Sequence, residues 1–124
     1  MKIAVDFDGT CVIHDYPNIG ADIGAIPVLR DLNENGHQLI LYTMRSEKEL
    51  ELAVVWCKNN DILLWGINEN PDQYKWTKSK KIFANLYIDD AALGIPLIHN
   101  TELSHRPFVN WTNVRIMLKD KGLL

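Results

Sequence analysis

Apolar residues along this chain fall into short unbroken runs, separated by longer stretches in which they recur every three or four positions. The runs Lys2–Phe7, His37–Tyr42, Ile62–Ile67 and Asn85–Ile88 predict buried strands, with a shorter one at Pro96–His99. Ile23, Ile26, Leu29 and Leu32 are spaced for a helix over Ala21–Asn35, and Gly36 is placed to stop it. Pro27 lies inside that span, so the helix either begins near it or is kinked there. Ser46 followed by Glu49 has the form of a capping box. It opens a helix to about Asn59, with Leu50, Ala53, Val54 and Cys57 as the apolar stripe. Asn68–Thr77 reads as loop around an Asn-Pro-Asp turn, and Ser79–Ala84 as a short helical stretch. Trp111–Lys121 reads as a terminal helix, capped by Asn110 and stopped by Gly122. Alternating helices and near-continuously apolar strands predict a parallel sheet with helices on both faces. The expected fold class is therefore α/β, one doubly wound, Rossmann-like domain spanning residues 1–124.

Composition narrows the function. At 124 residues and 47% hydrophobic, the chain can bury a core without disulfides or a structural metal. A net charge of −3 argues against sequence-independent nucleic-acid binding as its main task. No apolar run reaches the roughly 18 residues of a membrane span. Asp6 interrupts the first apolar segment too early for a secretory leader. Cys11 and Cys57 are too few for a disulfide framework or a zinc site. A reduced, cytoplasmic setting is expected.

The polar residues that close the strands carry the chemistry. Ligands of open α/β sheets bind beyond the carboxyl ends of the strands. Here the first strand ends in Asp6-Phe7-Asp8, the second in Thr43 and the fourth in Asp89-Asp90. Any one of these could be an ordinary strand end. Together they bring four carboxylates and a hydroxyl to one rim. Crowded carboxylates raise one another's pKa, and a divalent cation resolves the conflict. Oxygen ligands without His or Cys suit Mg²⁺, which commonly accompanies phosphate. An aspartate is also a competent nucleophile toward phosphorus.

At these residues the sequence resembles the haloacid dehalogenase-like superfamily of aspartate-nucleophile phosphotransferases, in the form of a small capless phosphatase. Asp6-Phe7-Asp8-Gly9-Thr10 after an apolar strand is similar to its first motif, and Thr43 after Leu39–Tyr42 to its second. A lysine among Lys78, Lys80 and Lys81 stands for the third, and Leu86-Tyr87-Ile88-Asp89-Asp90 for the fourth. The resemblance covers residues 1 to about 95. It implies that Asp6 attacks phosphorus while Asp8 serves as acid and then base. It also implies that Thr43 and a lysine, Lys81 by preference and Lys78 next, hold the phosphoryl oxygens. Phe7, Asp8 and Arg45 are counted among the phosphate contacts. Mg²⁺ would be held by Asp6, Asp8 through its backbone carbonyl, and Asp89. Asp90 either ligates or orients the lysine, and Gly9 and Thr10 shape the turn. An aspartate at position 8 points to phosphate rather than carbon–halogen chemistry.

Other candidates weigh less. Cys11 and Cys57 read as buried side chains, and His37, His99 and His105 lack ligand spacing. His14 is placed either against substrate or in solvent, and Arg45 in a substrate contact or a surface ion pair. Trp65, Trp76 and Trp111 read as core or interface. The intervals Thr10–Gly20 and Asn68–Lys81 are both too short to hold a cap domain. A small phosphorylated substrate is expected, possible rivals being a macromolecular phosphoester and, from another class, a receiver-like module that binds Mg²⁺ and phosphate without turnover. A phosphotransferase of the same superfamily is a further alternative. The open site is expected to be covered, if at all, by a second copy of the chain or by a large substrate itself.

Overall fold

The computed structural model describes residues 1–124. Four strands, β1 (Lys2–Val5), β2 (Gln38–Leu41), β3 (Leu64–Ile67) and β4 (Leu86–Ile88), form one parallel sheet in the order β3-β2-β1-β4. Three helices accompany it: α1 (Ala25–Glu34), α2 (Glu47–Asn59) and α3 (Trp111–Asp120). Register is set by the apolar runs, with Ile3 beside Leu39 and Leu86, and Val5 beside Leu41 and Ile88.

Alternation along the strands separates two faces. Ile3, Val5, Leu39 and Leu41 point into the main core, joined there by Leu29 and Leu32 of α1, Ala53 and Cys57 of α2, and Val114 and Leu118 of α3. Ala4 and Ile40 point the other way and pack with Ala84, Trp65 and Ile82. All three helices thus share one side, which corrects the expectation of helices on both. The connection from β3 to β4 is the one that would supply the missing layer. It contains only a 3-10 turn at Gln73–Lys75.

Gln73 explains that difference and the absence of the expected helix at Ser79–Ala84. Its buried side-chain amide donates to the carbonyls of Ser79 (3.2 Å) and Lys81 (2.6 Å) and accepts from the Phe83 N–H (2.8 Å). Backbone groups that a helix would pair internally are instead tied to one distant side chain.

The helix ends follow local chemistry with one exception. Pro27 is the third residue of α1, where its missing N–H has no helical acceptor to lose. Asn110 caps α3 by accepting from the Asn113 N–H at 3.2 Å. Ser46 stands at the N-cap of α2, yet its side chain makes no capping bond, so the expected capping box does not close. A second strand pair, β5 (Leu97–Ile98) against β6 (Phe108–Val109), is antiparallel. β5 lies within the expected Pro96–His99 strand, whereas β6 has no counterpart among the strands that the sequence predicts. No helix is long and apolar enough to cross a membrane.

Candidate active site

The strand order contains one reversal. The chain moves outward from β1 through β2 to β3, then returns to place β4 on the other side of β1. Ligand crevices of open α/β sheets lie at such a switch point. Asp6 leaves β1 there and Asp89-Asp90 leave β4, and carboxylate oxygens of the three lie within 4.8 Å of one another. Thr10 ties the group together. Its hydroxyl donates to Asp6 Oδ2 at 2.8 Å and accepts from the Asp90 N–H at 3.0 Å. Burial, with the Asp89 charge adding to it, pushes the Asp6 carboxyl up to about 8, against the pull of the Thr10 hydrogen bond.

The turn after β1 is built to admit neighbours closely. Gly9 has φ +79°, and a Cβ there would stand 2.1 Å from His14 Nε2 and 2.7 Å from Asp90 Oδ2. His14 occupies that space, with Nε2 3.2 Å from Asp90 Oδ2 and 3.2 Å from the Pro107 carbonyl. It is a buried neighbour of the acidic cluster, not a solvent-facing loop residue. Arg106 reaches to 4.0 Å of the same Asp90 oxygen. It comes from a segment without any recognisable motif, so only tertiary structure could find it. Trp111 of α3 donates its indole N–H to the Thr10 carbonyl at 2.6 Å.

Asp8 is not among the three clustered carboxylates. Both its oxygens accept from Arg45, Nε to Oδ2 and Nη2 to Oδ1, each at 2.8 Å. Arg45 spends its other donors on the carbonyls of Pro17, Glu49 and Asn18. All five guanidinium N–H groups are occupied, so Arg45 has none to offer a phosphate. Its expected role as a phosphate contact is corrected to that of a clamp on Asp8. Phe7 is fully buried, its ring edge-on to Trp56 at 5.4 Å, so the ring is core and not part of the cleft.

Thr43 lies across a cleft of about 490 Å³ that also contains Asp6, Asp8, Asp89 and Asp90. The Asn68 side chain accepts from the Thr43 N–H at 2.8 Å, and the Thr43 hydroxyl accepts from the Arg45 N–H at 3.1 Å. The three lysines part company. Lys81 lines a cavity with Asp6 and Asp89. Lys78 and Lys80 line another, with Asn70 and Gln73. Both thiols are buried. Burial pushes Cys57 up to about 12 and Cys11 well above its usual range, so neither is a ready nucleophile.

This arrangement can bind a hard cation, present a desolvated carboxylate to an electrophile and meet an anion with Lys81. No family model matches the chain. No curated protein matches it significantly. A conserved protein from Bacteroides thetaiotaomicron has a solved structure similar to this one, at TM-score 0.80 and 35% identity, covering 98% of this chain and 91% of that one. The chain belongs to the family of that protein. Within this family the shared fold takes in all but a few residues here, so it reaches well beyond the portion that carries the motifs.

Proposed function

We propose that the chain is a Mg²⁺-dependent phosphohydrolase of the haloacid dehalogenase-like type, cleaving a phosphate monoester through an aspartyl phosphate on Asp6. The observation that carries this reading is the meeting of Asp6, Asp89 and Asp90 at the switch point of the sheet. Lys81 in the adjoining cavity and Thr43 across the cleft support it.

The donor set fits Mg²⁺. It offers three carboxylates and no nitrogen or sulfur, and the Asp6 carboxyl, pushed up to about 8 by burial and by the Asp89 charge, would be relieved by a bound cation. Asp6, Asp89 and the Asp8 backbone carbonyl would hold the ion, with Asp90 beside them. When bound, Mg²⁺ neutralises charge on the phosphoryl oxygens. The Asp6 oxygen attacks phosphorus, the ester P–O bond breaks, and the departing oxygen takes a proton from Asp8 once that carboxyl has released an oxygen from Arg45. Asp8 then takes a proton from water, which attacks the phosphorus and releases inorganic phosphate and free Asp6. Lys81 and Thr43 steady the equatorial oxygens throughout.

The same reading holds the site to be capless. A small phosphorylated substrate suits it best, a macromolecular phosphoester fits an open cleft as well, and a second copy of the chain is the natural cover. The clamp of Arg45 on Asp8 favours one further reading. With Asp8 engaged, an aspartyl phosphate would hydrolyse slowly, which suits phosphotransfer or a regulatory phosphate-holding role. A panel of phosphate esters assayed with Mg²⁺ and with a chelator tests the proposal. Turnover should need Mg²⁺ and vanish in Asp6→Asn. Activity within about tenfold of the wild type, roughly 1.4 kcal/mol of barrier, would exclude the aspartyl phosphate.

A further inference from the structure

Tyr42 and Tyr87 flank Asp6 on the helix-free face of the sheet. Tyr42 follows β2 and donates its N–H to the Val5 carbonyl at 2.8 Å, which sets it beside Asp6. Tyr87 is paired with Ala4 on β1. Alternation puts Ala4, Asp6 and Tyr87 on one face. The two tyrosine rings are 6.3 Å apart and meet at 88°. Each is about two-fifths exposed, at 38% and 41%. Tyr87 is nonetheless fixed, because its hydroxyl donates to the Ile82 carbonyl at 2.6 Å and accepts from the Ala84 N–H at 3.1 Å.

These rings wall a cavity of about 370 Å³. That is the size of a small-ligand site. Its charged members are Asp6, Asp89 and Lys81, and most of the remaining wall is Tyr42, Tyr87 and the small side chains Ala4, Ala91 and Ala92. The cavity is therefore continuous with the phosphate-handling residues and otherwise apolar. Two perpendicular rings form a corner that accepts a flat ring stacked on one and edge-on to the other. The alanines leave the space that such a ring needs.

The geometry points to a leaving-group subsite for a planar, unsaturated ring, so that the preferred substrate is the phosphate monoester of a ring-bearing alcohol. This rests on the phosphohydrolase reading and adds a specificity that the motif residues do not contain. Tyr42 is the determining residue, Tyr87 the fixed wall.

The test compares kcat/KM for benzyl phosphate and ethyl phosphate, whose alcohols are nearly equal in acidity, so that leaving-group ability is matched. The wild-type protein should favour the benzyl ester by about tenfold. Tyr42→Ala should cut that ratio about fivefold, and Tyr42→Phe should retain it. Equal values for the two esters, or a ratio indifferent to Tyr42→Ala, overturns the subsite while hydrolysis stands. If neither ester turns over, the wider ester panel still decides hydrolysis, and calorimetry with benzylphosphonate and ethylphosphonate decides the groove. Tighter ring binding that Tyr42→Ala abolishes supports it, and equal or absent binding overturns it. A dimer that dissociates in Tyr42→Ala would assign the groove to a second copy of the chain and also overturn it.

Discussion

Arg45 grips Asp8 through both carboxylate oxygens at 2.8 Å, with the arginine side chain only 1% exposed. The guanidinium also lies against the rings of Phe7 and Tyr16, at 5.1 and 5.2 Å from their centroids. One side chain thereby ties the turn after β1 to the loop at Pro17–Asn18 and to the first turn of α2. A bidentate pair with this burial depends on both partners.

Arg45→Met should therefore cost about 3 kcal/mol of stability in urea unfolding, because it strands Asp8 and three carbonyls. Arg45→Lys should recover only part of that loss, since an ammonium lacks the planar fork. Combining Arg45→Met with Asp8→Asn should cost less than the sum of the single changes, as expected of groups in direct contact.

The raised Asp6 carboxyl makes stability depend on pH. Its folded value of about 8 exceeds the ordinary 3.8, so above pH 3.8 the folded chain keeps a proton that the unfolded chain releases. This stabilisation is complete below that pH and is lost as pH rises toward 8, at up to about 1.4 kcal/mol per unit. Unfolding in chelator at several pH values should show the decline. Asp6→Asn should flatten it and raise stability at pH 8, and Mg²⁺ should flatten it in the wild type.

Among the lysines, Lys81→Ala should lower kcat/KM by about a hundredfold, the scale of losing one donor to a developing phosphoryl charge. Lys78→Ala and Lys80→Ala, in a different cavity, should stay within a few-fold of the wild type. Three equal small losses would reduce the basic run to an electrostatic funnel.

Trp111→Phe should keep the packing of α3 and lose the hydrogen bond to the Thr10 carbonyl. The cost should be about 1–3 kcal/mol of stability, that of leaving a buried carbonyl unpaired. A fall in turnover larger than the stability loss explains would show that α3 also shapes the Thr10 turn that carries the Asp6 cluster.

What the sequence determined by itself was whatever depends on neighbours along the chain. The apolar runs specified β1 to β4, the Asn110 cap specified the start of α3, and the strand-end positions singled out Asp6, Thr43, Asp89 and Asp90. Asp8 was singled out too, but not its partner. Tertiary structure alone decided that Arg45 serves Asp8 and that His14 and Arg106 reach Asp90, and it placed Lys81, the lysine preferred from sequence, in a cavity with Asp6. It also decided that the Gln73 side chain, not an internal helix, organises residues 79–83, which leaves one face of the sheet without a helix. The reason is physical. Periodicity and capping are read from residues within a turn or two of each other, whereas these pairings join groups as far apart as position 14 and position 90, and only packing of the sheet brings them together.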